Sequence, residues 1–200
     1  MNRYQALSMV ALLTVTANSL SAQAVLRPEP SGRGTSEVTL AFPAAGTPEA
    51  AAAAAMPAPK PLFIRLDYGQ PHLRGRALHT DSLVPYDKPW RMGANANTTL
   101  TTDVDLIIGG ATLAKGSYVL YAVPGRTSWK LVIQRSVGQT PMEYSAGDDV
   151  ARIDLRHSTL PTSLESLTMW LIPSLQPGPA RGELRIAWGN DQLSTDWSVR

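Results

Sequence analysis

The chain has 200 residues, enough for one well-buried domain with length to spare. Its 18 basic and 16 acidic residues leave a formal charge of +2, and the bases are dispersed, so nucleic acid is not an expected partner. Cysteine is absent, which excludes a disulfide framework, a thiol nucleophile, a thiolate metal site and a lipid anchor on an N-terminal cysteine.

Residues 1–24, MNRYQALSMVALLTVTANSLSAQA, read as a secretory signal peptide. Arg3 supplies the positive end, residues 6–15 the apolar middle, and Ala22-Gln23-Ala24 a cleavage site with small residues on either side. The apolar middle is too short to span a bilayer, and no later stretch is long enough either. The mature chain is therefore expected to be exported, periplasmic or secreted, without a lipid anchor or membrane span. Cleavage is expected after Ala22 or Ala24.

Residues 25–61 form an Ala/Pro-rich linker, interrupted by one alternating stretch, EVTLAF at 37–42, that reads as an early strand. From residue 62 the period-two signal recurs. In LFIRLDY, Leu62, Ile64, Leu66 and Tyr68 fall on one face, while Arg65 and Asp67 fall on the other. Further strands are expected at 98–102, 104–108, 118–123, 129–134, 151–156, 164–172, 183–188 and 196–199. Gly109-Gly110 and Ala114-Lys115-Gly116 are hairpin turn signals. A single short helical turn is expected at 80–84, capped by Thr80 or Asp81 and ended by Pro85. Many short strands without intervening helices predict an all-β domain over 62–200. The architecture expected is an antiparallel β-sandwich, jelly-roll-like, or a partly open barrel.

Catalytic signatures are missing: there is no G-x-S-x-G elbow, no H-E-x-x-H and no phosphate-cradling glycine loop. His72, His79 and His157 have no recognised ligand spacing. They read as hydrogen-bonded or surface histidines rather than as a metal site with Asp81. Asp103 and Asp105 read as a solvated strand edge. No cofactor and no metal are expected.

The segment 68–95 concentrates guanidinium and aromatic groups. The candidate residues are Tyr68, Arg74, Arg76, Tyr86, Trp90, Arg91 and Asn95. A planar guanidinium stacks on aromatic rings and forks onto carboxylates. In one reading Arg91 is a buried tie to an acid such as Asp67, Trp90 fills the core and Asn95 bonds loop backbone. In the other, Arg91 and Asn95 floor a pocket for an anionic or hydroxyl-rich ligand. The tie is the favoured expectation.

These residues also carry a resemblance. YGQPHLRGR at 68–76, LVPYDKPWRMGAN at 83–95 and IIGGATLAKGSYVLYAVPG at 107–125 resemble the pattern of the DUF2911 family of bacterial exported proteins. The chain departs from that pattern at Gln70, Asp87, Ala96 and Asn97. The resemblance implies an all-β exported domain of unassigned function, and Ala96 removes a carboxylate that many relatives carry beside the motif asparagine. The expected function is a non-catalytic binding module for a small molecule, a glycan or an envelope component. The alternatives are an envelope hydrolase or lyase using Asp or His near the motif, and a purely structural envelope protein.

Overall fold

The computed structural model describes residues 29–41, 60–135 and 143–200. The signal peptide expected at 1–24 and most of the linker expected at 25–61 lie outside the described residues. Among the described residues no helix is long and apolar enough to cross a membrane.

Among the described residues nine strands follow in chain order: β1 (Arg33–Leu40), β2 (Leu62–Gly69), β3 (Thr99–Thr102), β4 (Leu106–Ile108), β5 (Ala111–Leu113), β6 (Gly116–Pro124), β7 (Trp129–Arg135), β8 (Asp149–Pro173) and β9 (Arg181–Val199). All pairings are antiparallel, and the strands hydrogen-bond in the order β1-β2-β3-β6-β7-β8-β9-β4-β5. The all-β antiparallel expectation is met, in the form of one open sheet. The early strand is real but begins at Arg33, pairing with β2 along its whole length. The hairpin signal at Gly109-Gly110 is a two-residue turn with both φ positive, at 54° and 86°, which joins β4 to β5.

Each strand places its apolar side chains in one shared core: Val38, Leu66, Leu100, Leu106, Leu113, Leu120, Leu131, Leu167 and Leu184 stand for β1 to β9 but for the exchange of neighbours along each strand. One core reached by every strand requires the sheet to curl over itself. Two contacts mark the closure: the Leu171 N–H of β8 donates to Ser36 Oγ of β1 at 2.9 Å, and the Met169 N–H donates to the Tyr68 hydroxyl of β2 at 3.1 Å. A smaller cluster of Val119, Tyr121 and Val132, covered by Val123 and Tyr144, occupies the other face of β6 and β7. Burial on both faces explains why YVLYAV reads as a continuous apolar run.

Two differences from the expected elements matter for function. The strands expected at 151–156 and 164–172 are one strand, β8, and those expected at 183–188 and 196–199 are one strand, β9. Pro161 and Gly189 lie in the gaps between those expected strands, where the β8–β9 ladder slips register, between Thr159 and Leu164 and again before Thr168. Such irregularities tolerate proline and bend a strand without ending it. The bend is large. A straight strand of 19 residues separates its ends by about 60 Å. Here the Val199 N–H at the end of β9 donates to the Ala180 carbonyl just before its start, at 2.7 Å. Strand β9 doubles back on itself.

The helical turn also differs in place. Residues 80–84 form a hydrogen-bonded turn, with the Leu83 N–H facing the Thr80 carbonyl and Oγ1 at 3.3 and 3.2 Å. Among the described residues the one helical turn is 3-10, at Ala146–Asp148.

Candidate functional site

The segment 68–95 crosses one side of the curled sheet without regular structure, and its candidate residues do not converge. Tyr68 is buried at the end of β2, where burial pushes its phenol up and the bond from Met169 opposes that shift. Arg74 has a left-handed backbone, φ 53°, and its N–H donates to the Glu165 carboxylate at 2.6 Å. The Arg76 guanidinium donates to the Leu73 and His72 carbonyls at 2.9 and 2.8 Å, closing the turn around Gly75. Tyr86 stacks on His79 with centroids 4.3 Å apart, and Arg126 lies 4.7 Å over its ring.

Trp90, Arg91 and Asn95 share one loop, and that loop is a seam of the fold. Trp90 exchanges both backbone hydrogen bonds with Ala122 of β6, at 2.7 and 2.8 Å. Its indole stacks on Trp188 at 6.0 Å and meets the edge of Trp129 at 6.5 Å. Met92 is fully buried, and its carbonyl accepts from Thr98 Oγ1 at 2.8 Å. Asn95 adopts φ 61° and donates through Nδ2 to the Ser31 carbonyl at 3.0 Å. Loop backbone is thus its partner, as the structural reading expects.

Arg91 is a correction. It is exposed, and its Nη1 donates to the Asn95 carbonyl at 3.2 Å. Asp67 is already occupied by Arg33 and by Thr35 Oγ1, both at 2.7 Å. Strand alternation sends Trp90 inward and its neighbour outward, so the two cannot both be core groups. The outward side places Arg91 near Tyr121, whose phenol is pushed up by burial and drawn back by the Arg91 charge. The void that Trp90 lines has a volume of about 10 Å³, room for about one water and no ligand. Arg91→Ala is expected to change stability by no more than about 0.5 kcal/mol in a urea melt, as exposed substitutions do. A loss of several kcal/mol would restore the buried tie.

The three histidines are all hydrogen-bonded, in two places. His72 Nδ1 meets Ser166 Oγ at 2.7 Å. His79 and His157 converge on one carboxylate, Asp191, through their Nε2 atoms at 2.6 and 2.8 Å. Asp81 is not part of this group. Asp191 was not legible as a partner, because it lies 112 residues from His79. Asp103 and Asp105 accept the Phe63 and Lys115 N–H groups at 3.1 and 2.9 Å, so they fasten loops rather than sharing a strand face.

The larger concavity lies elsewhere, where the two ends of β9 meet. A cleft of about 770 Å³ opens between the Gly109-Gly110 turn, the end of β8 and both ends of β9. Arg156 of β8 forks onto Asp196 with two bonds of 2.8 Å and reaches Glu183 at 3.4 Å. That fork holds the Asp196 carboxyl below its ordinary value. The pair therefore adds stability above the unfolded carboxylate range, near pH 4, which is lost as pH falls through the lowered value. Trp197 lies against the backbone of Gly182, where a Cβ would come within 2.7 Å of Cζ2. The indole is 2 % exposed and its Nε1–H has no partner among the described residues. An unmet buried donor costs about 1–3 kcal/mol, a cost that most structural tryptophans avoid. Of the cleft residues, only Ile107, Gly109 and Gly110 stood out in the sequence, as part of a turn signal and a resemblance block and not as a ligand site. Arg156 and Asp196 are 40 residues apart, and alternation in DQLSTDWSV gives the face of Asp196 but not its partner.

No curated protein and no solved structure matches the chain. Residues 50–196 match the family described as "protein of unknown function (DUF2911)", over β2 to β8, most of β9, the Trp90 seam and most of the β8–β9 cleft. With most of its length covered, the chain belongs to the DUF2911 family.

Proposed function

We propose that this protein is an exported, non-catalytic binding module whose ligand sits in the cleft between the doubled-back ends of β9. The observation that carries the reading is the cleft itself: about 770 Å³, within the range of about 300–1,000 Å³ typical of ligand sites. Its wall combines apolar Ile107 and Ile172 with hydroxyls of Ser174, Thr195 and Ser198 and with the Arg156–Asp196 fork. Such a wall can orient a ligand, and it presents no nucleophile beside a base. Export rests on residues 1–24, and the intact mass of the exported protein should give Gln23 or Val25 as the first residue. Retention of Met1 would overturn it.

The test of binding is Ser198→Trp, which fills the cleft from β9 without touching the core. Ligand-detected NMR against a mixed small-molecule library should show hits with the native protein and lose them with the variant, whose melt stays native-like. Hits unaffected by Ser198→Trp, or no hits at all, would overturn the cleft as the site.

A second reading has one observation in its favour. His157 faces Asp191 through Nε2, and its Nδ1 has no partner among the described residues. A carboxylate-held imidazole with one free nitrogen is the arrangement of a general base. Screening hydrolase and lyase substrates with native protein and His157→Gln tests this; turnover lost in the variant would favour an enzyme, and its absence from both would remove that reading.

A further inference from the structure

The cleft does not end at Ile172. That residue also borders a second groove of about 400 Å³, lined by Leu160, Pro161, Leu164, Trp170, Arg185 and Gln192. Trp170 and Ile172 are two residues apart on β8 and share a face. Opposite them on β9 stand Arg185 and Glu183. Together the two spaces exceed the roughly 300–1,000 Å³ of a single small-ligand site, which suits a chain of linked units.

Trp170 is the exposed aromatic of this trough. Its neighbours Met169 and Leu171 are buried in the core, whereas Trp170 itself is 36 % exposed. A large indole on a solvated sheet face offers a flat apolar surface for a partner. The charges around it balance. Asp154, Glu183 and Asp196 face Arg156, Arg181 and Arg185, three of each sign. Four of them are paired within the wall, Arg156 with Asp196 and Glu183, and Arg185 with Glu183, while Asp154 pairs with Lys130 at its margin and Arg181 donates to the Pro177 carbonyl. A wall so neutralised has little field with which to select an ion. It does set carboxylate acceptors beside guanidinium donors, and a hydroxyl both donates and accepts.

We infer that the trough binds a neutral oligosaccharide chain, with one ring on the Trp170 indole and the following rings hydrogen-bonded along the Arg156, Glu183 and Asp196 wall. This rests on the binding reading above and narrows it to a ligand class. Uncharged hydroxyls match a balanced wall, and the apolar face of a sugar ring matches an exposed indole.

Titration calorimetry with chitohexaose, cellohexaose and maltohexaose, and with a sulfated hexasaccharide, tests the inference on the whole mature chain. At least one neutral hexasaccharide should bind saturably, with little dependence on salt. Trp170→Ala should weaken that binding about tenfold or more, the loss typical of a central aromatic contact, while the melt stays native-like. Neutral binding that survives Trp170→Ala would overturn the inference, as would binding of the sulfated sugar alone. Self-association abolished by Trp170→Ala would overturn it too, because a second copy would then cover the groove. Silence from every sugar overturns the sugar inference alone. The binding reading falls only if the mixed library is also silent, or if its hits survive Ser198→Trp.

Discussion

Trp90→Ala should be the most damaging single truncation in the motif loop, at about 3–5 kcal/mol. The side chain is 8 % exposed and stands between Trp188, stacked at 6.0 Å, and the edge of Trp129. Truncation removes the burial of a large ring, leaves a cavity between two other indoles and forfeits aromatic contacts worth about 0.5–1.5 kcal/mol per pair beyond area. The backbone bonds to Ala122 survive, so the strand seam persists and the loss is one of packing. Against a total stability of about 5–15 kcal/mol, the variant should melt at much lower urea with an unchanged slope. Trp90→Phe keeps a ring in the stack and should recover a substantial part. A Trp90→Ala variant that melts like the native protein would show that the three-tryptophan cluster does not hold the curled sheet together.

Gly69→Ala should be comparably severe for a different reason. Gly69 carries the motif loop against the end of β2: the Ala94 N–H donates to its carbonyl at 3.2 Å. A Cβ there would lie 1.8 Å from the Ala94 carbonyl oxygen and 2.7 Å from its carbon. These are backbone atoms of a loop already fixed by Trp90, Met92 and Asn95, so no side-chain rotation relieves the clash. Overpacking commonly costs about 1–3 kcal/mol, and a clash with immobile backbone belongs at or above the top of that range. Gly147→Ala is the control, since its new Cβ would meet nothing nearer than Ser145 Oγ at 3.8 Å. That change should stay within about 0.5 kcal/mol. Equal melts for the two alanine variants would mean that the loop moves freely away from β2.

The resemblance rests on residues whose roles are now physical. Trp90 and Met92 fill the core, while Gly69 and Gly93 permit two backbones to touch: a Cβ on Gly93 would meet the Gly69 carbonyl at 2.9 Å. Asn95 holds a left-handed corner and reaches Ser31. In this chain these five residues hold a seam between the motif loop and the sheet. The cleft proposed for a ligand is carried mainly by β8 and β9, with only Ile107, Gly109 and Gly110 of the resembling segments on its wall.

What the sequence determined by itself was what neighbouring residues decide between them. Alternation in LFIRLDY gave the buried face of β2, Gly109-Gly110 gave a tight hairpin, and many short strands without intervening helices gave an all-β domain. Each follows from backbone geometry over a few residues, where side-chain direction and φ preference are local. What only the tertiary structure decided was pairing. Alternation lapses after 156 and after 188 and so gave four short strands, yet the ladder on both sides holds β8 and β9 through their bends. Arg91 had a plausible acid in Asp67, but that acid lies on β2 beside β1, within reach of Arg33. His79 and His157 meet on Asp191, and Arg156 meets Asp196, only because the β8–β9 register and the loop folded against it bring together residues 34 to 112 positions apart. Local rules fix which way a side chain points; register and strand curvature, set by the whole core, decide what it meets.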